Sequence, residues 1–237
     1  MNGKSAAIYD LLYSATGIKN FAAEAEVIHG VIQQAVPGAR TLLDVACGTG
    51  EDLLELRRWY EVEGVDISAE MLEVARQKLP GVQLHRADMR ALELGRAFDA
   101  VTCLFSSIGY VTDADDLRST FHRLAAHVAR PGVLIVDGWV RPDHWRGDVQ
   151  RPPDVASDAQ RTVVRVAHTR RIGDITELDM HHLVRAAGGV VYFMEQHRLA
   201  LVATDVYVAA MRAAGLSVRV IPDFMPGRDR VVGFAAS

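Results

Sequence analysis

The segment Thr41-Leu42-Leu43-Asp44-Val45-Ala46-Cys47-Gly48-Thr49-Gly50 narrows the possible folds more than any other stretch of the chain. The run from Leu42 to Ala46 reads as a strand covered on both faces. Gly48 and Gly50 let the chain reverse sharply with no Cβ in the way. Glu51-Asp52-Leu53-Leu54-Glu55-Leu56 then spaces its leucines for a helix. Strand, glycine turn and helix in that order make one unit of an open α/β sheet. In such sheets ligands lie at the carboxyl ends of the strands, against bare backbone.

Two more strands follow, each ending on an acid. Val62 to Ser68 is a short strand that reaches Asp66, sixteen residues past Gly50, and Ser68 is placed to cap a helix over 69–79. Val82 to Met89 is the next, ending at Asp88-Met89. A carboxylate at the second strand end can accept hydrogen bonds from both hydroxyls of a ribose. Asp88 can accept an adenine amino group, with the backbone N–H and thioether of Met89 beside the ring. A dinucleotide turn carries a third glycine three residues after the second; that place is Leu53 here. Asp44 instead stands four residues before Gly48, and carboxylates at a binding turn suit a cationic ligand better than a phosphate.

Upstream, Ile8 to Tyr13 has helical spacing that Gly17 ends, and Phe21 to Val36 forms a second helix stopped by Pro37-Gly38. Tyr9, Tyr13 and Phe21 are aromatic faces able to close over a cation, or to pack these helices on the core. Downstream, Phe98 to Phe105 is a fourth strand running into Ser106-Ser107-Ile108-Gly109-Tyr110. Residues 115–129 read as a helix and 133–137 as the fifth strand. Residues 141–158, rich in Pro, Asp and Arg, read as loop. Segments 162–168, 176–184 and 190–201 alternate apolar and polar residues about Ile172-Gly173-Asp174 and Ala187-Gly188-Gly189. They predict a three-stranded antiparallel insertion. Thr204-Asp205 is expected to cap a helix to Ala214, and segments 216–221 and 231–234 to be the last two strands, antiparallel. The expected division is 1–140 with 203–237 as an α/β core with a helical lid, and 141–202 as an acceptor platform.

Composition removes several classes. A net charge of −4 argues against a general nucleic-acid binder. No apolar stretch is long enough to span a membrane, and no secretion signal is visible. Cys47 and Cys103 read as reduced, buried thiols, and no Cys/His cluster has metal spacing. The chain reads as soluble and cytoplasmic, and a homodimer is compatible with this reading.

The glycine motif, with Asp88-Met89-Arg90, Phe105 to Tyr110, Arg165-Val166-Ala167-His168 and Ala213-Ala214-Gly215-Leu216-Ser217, resembles the TDP-aminosugar N-methyltransferases of antibiotic biosynthesis. That resemblance implies a class I S-adenosylmethionine (SAM) methyltransferase fold: a Rossmann-like, mostly parallel seven-stranded sheet with helices on both faces. It implies SAM as methyl donor and a TDP-linked deoxyaminosugar as acceptor, dimethylated on nitrogen. The cofactor residues it suggests, with the local reading, are Tyr9, Tyr13, Asp44, Ala46, Gly48, Asp66, Ile67, Asp88, Met89 and Phe105. On the acceptor side stand Ser107, Trp139, His168, His182 and Arg228, with Trp145 as a further wall of the cleft. Tyr110 falls where relatives carry Tyr or His near the amine, and is the candidate to orient it. Three family patterns are altered: Asp137-Gly138-Trp139-Val140, Ile18-Lys19-Asn20-Phe21 and Gly227-Arg228-Asp229 stand where Glu-Pro-Trp-Trp, Gly-Lys-Asp-Tyr and Gly-Arg-Gly are usual.

The chemistry asks for alignment above all. A phenol with an ordinary pKa near ~10 is a poor base at neutral pH, so Tyr110 is expected to position the amine and not to deprotonate it. Along a strand, neighbouring side chains alternate, so His181 and His182 cannot both face an acceptor. Two rival readings remain: a SAM-dependent O-methyltransferase, for which no general base is evident, and a SAM-binding module without catalysis.

Overall fold

The computed structural model describes residues 3–147 and 152–236. Helices α1 (Gly3–Ala15) and α2 (Phe21–Ala35) precede β1 (Thr41–Val45), α3 (Glu51–Leu56), β2 (Glu61–Asp66), α4 (Ala69–Lys78), β3 (Gln83–Arg86) and β4 (Phe98–Cys103). After α5 (Ala114–Ala126) and β5 (Val128–Asp137) come four strands: β6 (Asp154–Ser157), β7 (Thr162–Ile172), β8 (Ile175–Ala186) and β9 (Gly189–Ala200). The chain closes with α6 (Thr204–Ala213), β10 (Ser217–Met225) and β11 (Arg228–Ala235).

Seven strands form one sheet in the order β10-β11-β5-β4-β1-β2-β3. β1 to β5 run parallel, and β11 and β10 join antiparallel at one edge. Leu42, Leu43 and Val45 are fully buried, as a central strand covered on both faces requires. On one face α2 packs Ala25, Ile28, Val31 and Ile32, at helical spacing, against Leu42 and its neighbours. On the other α5 brings Leu117, Phe121 and Leu124 down with Tyr207 and Met211 of α6. Leu53, at the place of the absent third glycine, is fully buried and lies against Gly64 of β2. The close approach of helix and strand is thus made by a glycine on the strand.

Three helix starts follow local chemistry. Asn20 accepts from Ala23 N–H at 3.0 Å, Ser68 from Met71 N–H at 3.2 Å, and Asp113 from Asp115 and Asp116 N–H. The expected Thr204 cap is not made. Ala203 holds that position, and Thr204 Oγ1 donates to Asp229 Oδ2 at 2.5 Å, tying α6 to β11.

The inserted sheet is antiparallel in the order β6-β7-β8-β9, with two-residue hairpins at Gly173-Asp174 and Ala187-Gly188. It has four strands where three were expected. Pro152-Pro153 masks β6 in the sequence, yet it pairs with β7 and is fastened by Arg165 to Asp154 at 2.7 Å. β7 and β8 outrun their expected ends, while β9 is displaced by one residue from the expected 190–201. Helix α5 stops at Ala126, short of the expected 129. There His127 bonds back to Arg123 O and accepts from Leu94 N–H, and β5 already begins at Val128. Residues 148–151 of the expected loop lie outside the described residues.

Candidate functional site

The three strand-end acids share one edge of the sheet because β1, β2 and β3 are adjacent and parallel; Asp66 and Asp88 line one cleft, and Asp44 lies in the recess beside it. Asp66 Oδ2 accepts from Gly48 N–H and Oδ1 from Ser68 N–H, each at 2.8 Å, which locks the tip of β2 to the glycine turn. Burial pushes the Asp66 carboxyl up, against the pull of those two amides. A Cβ placed on Gly48 would meet nothing within 4 Å, so open space faces the turn. Ile67 beside it is 61 % exposed, into the same cleft. Met89 lines it further along, and Asp88 with it. Asp88 is gripped by its own neighbour: Arg90 Nη2 lies 2.6 Å from Oδ2, which holds that carboxyl below its ordinary value. An apolar strip of Ile67 and Met89 flanked by carboxylates fits a nucleoside, base and ribose alike.

At the closed end of this strip sits a charged group that sequence reasoning missed. Lys19 is buried, with Nζ 2.6 Å from Asp52 Oδ2 and 3.4 Å from Glu24 Oε2, and 4.7 Å above the rings of both Phe21 and Phe105. Asp44 faces the same recess, accepting from Thr102 Oγ1 at 2.7 Å. Burial and the nearby Asp52 raise its carboxyl well above the ordinary range. Asp44 and Lys19 therefore bring a carboxyl and an ammonium to one recess, groups that suit the two ends of an amino acid. The signal for Lys19 was the altered Ile18-Lys19-Asn20-Phe21 pattern, which keeps the family's lysine but does not say what it meets.

Ala46 and Phe105 frame the recess in strained backbone. Ala46 (φ 63°), Phe105 (φ 52°) and Ser106 (φ 66°) are all left-handed without being glycine. Asp137 Oδ2 holds Phe105 N–H at 3.0 Å, and Ser106 Oγ donates to Gly138 O at 2.7 Å. Such outliers persist only where the surroundings fix them, commonly at binding sites. Asp137 is itself paired with the buried Arg230.

Helix α1 closes over the strip. Thr49 Oγ1 donates to Asp10 Oδ1 at 2.5 Å, and Lys78 bridges Asp10 and Glu51. Tyr9 and Tyr13 pack tilted with ring centres 4.4 Å apart, and Tyr13 meets Phe105 edge-on at 5.3 Å. Ile8 and Leu12 pack on Ala156, Val163 and Phe193 of the inserted sheet. The lid thus joins both sheets.

The inner face of the inserted sheet forms the opposite wall of a continuous cleft of about 1020 Å³, room for two ligands of ordinary size. Arg165, Ala167 and Thr169 of β7, Met180 and His182 of β8, and Glu195 and His197 of β9 face it. So do Ser107, Tyr110, Trp139 and Trp145. Arg228 also lines it, its guanidinium 4.1 Å over Trp139 and donating to Ser106 Oγ at 3.2 Å. His168 does not: it is exposed on the outer face, opposite Asp179, one residue out of phase with Ala167 and Thr169. His181 is also outward, bonded to Tyr192. Glu195 and His197 were the acceptor-side residues hardest to single out, since i, i+2 spacing only marks a shared face.

This sheet order, with acids at the tips of β1 and β2 and just beyond β3, is that of a class I methyltransferase. Residues 42–132 match the methyltransferase domain family. The dTDP-3-amino-3,6-dideoxy-alpha-D-glucopyranose N,N-dimethyltransferase of Streptomyces fradiae is 38 % identical, over 98 % of this chain and 91 % of that protein. The dTDP-4-amino-2,3,4,6-tetradeoxy-D-glucose N,N-dimethyltransferase of Saccharopolyspora spinosa is 35 % identical over 95 % and 90 %. The crystal structure of Streptomyces venezuelae DesVI superposes with a TM-score of 0.92 at 38 % identity, covering 98 % of both chains. The chain belongs to the TDP-aminosugar N,N-dimethyltransferase family. It is an enzyme of the SAM-dependent N-methyltransferase type.

Proposed function

We propose that this protein methylates the amino group of a TDP-linked deoxyaminosugar, twice, in the making of an antibiotic sugar. The observation that carries the reading is the shared cleft. A nucleoside strip on the parallel sheet faces a basic and aromatic wall on the inserted one, and the two meet at Phe105 and Tyr110. Bound SAM supplies a methyl group activated on sulfonium. Asp66 holds the ribose, Asp88 and Met89 the adenine edge, and Asp44 with Lys19 the amino acid end; Tyr9, Tyr13 and Phe105 offer aromatic faces to the cation. Residues 1–140 and 203–237 serve the donor and 141–202 the acceptor. Arg228, preorganised over Trp139, takes the diphosphate, since a guanidinium grips two oxygens at once. His182 is buried, its Nδ1 without a hydrogen-bond partner among the described residues, and suits a sugar hydroxyl. Tyr110 orients the amine. Thermal shift with SAM, TDP and NAD tests the ligand classes: stabilisation by SAM and TDP together supports this reading, and stabilisation by NAD alone defeats it.

We also infer a cytoplasmic homodimer. The outer face of the inserted sheet carries rows of apolar side chains across its strands, Val155, Leu183 and Tyr192 in one, Val166 and Met194 in the next, each more than two-fifths exposed. An exposed apolar patch of that kind, with His181 between Val166 and Met194, marks an interface. Free, buried Cys47 and Cys103 suit a reducing compartment.

A further inference from the structure

Behind Tyr110 lies a short chain of polar groups. The Tyr110 hydroxyl is 2.8 Å from His197 Nδ1. On the far side of the same ring, His197 Nε2 is 3.8 Å from Glu195 Oε2. His197 and Glu195 are 8 % and 7 % exposed, while Tyr110 is 43 % exposed, into the cleft. A carboxylate beside Nε2 favours the proton there, leaving Nδ1 to accept the phenol O–H.

We propose that Tyr110, His197 and Glu195 form a relay that takes the proton from the newly methylated amine. The proposal rests on the N-methylation reading above. In the step, an N–H bond of the secondary ammonium breaks and its proton goes to Tyr110 Oη. The Tyr110 O–H bond breaks in the same movement, and that proton forms an N–H bond at His197 Nδ1. The imidazolium is paired with Glu195, and nitrogen regains the lone pair that a second methyl transfer requires. Tyr110 never becomes a phenolate. The relay also supplies the base that the sequence did not reveal. The other groups on this side are His182 of β8, Arg165 of β7, Tyr9 and Tyr13 of α1 and, across the cleft, Asp66 of β2. Burial keeps His182 toward its neutral form, and Arg165 is paired with Asp154.

Two measurements test this. Nitrogen NMR of the histidine rings, with no sugar present, is expected to show His197 protonated at Nε2 and accepting at Nδ1. A proton on Nδ1 overturns the relay. Kinetically, His197→Asn is expected to lower kcat about tenfold at pH 7, accumulate monomethyl product, leave SAM affinity unchanged, and recover toward wild type near pH 9. A loss equal at all pH values marks a packing role and overturns it. Tyr110→Phe is expected to slow turnover without abolishing it, and combining it with His197→Asn to cost little more than either change alone. Additive losses overturn the relay. No turnover of any TDP-aminosugar by the wild-type enzyme overturns the functional reading and the relay with it, whatever the NMR shows.

Discussion

Leu53 Cδ1 stands 2.7 Å from the point where a Cβ on Gly64 would fall, with Cys47 Sγ and Leu84 Cδ2 at 2.8 Å. Side chains from α3, the glycine turn and β3 all converge on that one missing methyl. Gly64→Ala therefore overpacks the core beneath the donor strip and is expected to destabilise the fold by about 1–3 kcal/mol. Urea unfolding checks this; an unchanged midpoint contradicts it.

Donor and acceptor binding separate by residue. Asp66→Ala removes the acceptor of two backbone N–H groups and the proposed ribose ligand. It is expected to weaken SAM at least tenfold, about 1.4 kcal/mol or more. Arg228→Ala is expected to leave SAM affinity unchanged and raise KM for the TDP-sugar about tenfold, as loss of a charge-assisted bidentate contact would. Calorimetry with SAM and initial rates with the sugar check both.

Asp44 links stability to pH. Its carboxyl is raised in the folded protein by burial and by Asp52, so the folded state keeps a proton that the unfolded chain releases above about pH 4. Stability from this group is complete below that pH and is lost as pH rises through the folded value. Asp44→Asn does not titrate. Without ligand, the variant is expected to melt higher than wild type at pH 8, the gap closing toward pH 4, and to bind SAM more than tenfold more weakly, since it lacks the anion for a cationic ligand. Melting curves across pH, with and without SAM, check the pair of effects.

Leu183, 48 % exposed, sits in the middle of the outer apolar rows. Leu183→Lys is expected to leave the fold intact and shift the protein from dimer to monomer, read by sedimentation. A wild-type monomer at micromolar concentration contradicts the interface.

Much of this was legible where local chemistry and pattern agree. The glycine turn, the caps at Ser68 and the alternation of β7 to β9 act over a few residues, so the sequence carries them openly. The strand-tip acids could be placed together because parallel units bring successive strand ends to one edge. Lys19 escaped because its partners, Asp52 and Glu24, come from two other segments and its value lies in burial. His168 was misplaced to the cleft because the phase of a strand is set by its neighbours: Val163 packs inward on Ile8 and Leu12, and every second residue follows it. β6 was hidden by Pro152-Pro153, although an edge strand tolerates proline beside it.

The account stands on the acceptor as much as on the donor. Purified protein incubated with SAM and a panel of 3-amino and 4-amino TDP-deoxysugars, followed by mass spectrometry, tests it most directly. The account predicts that one of these sugars gains first one methyl and then a second, on nitrogen, with stoichiometric S-adenosylhomocysteine. No mass gain on any aminosugar by a protein that binds SAM, or a methyl found on oxygen, would contradict it.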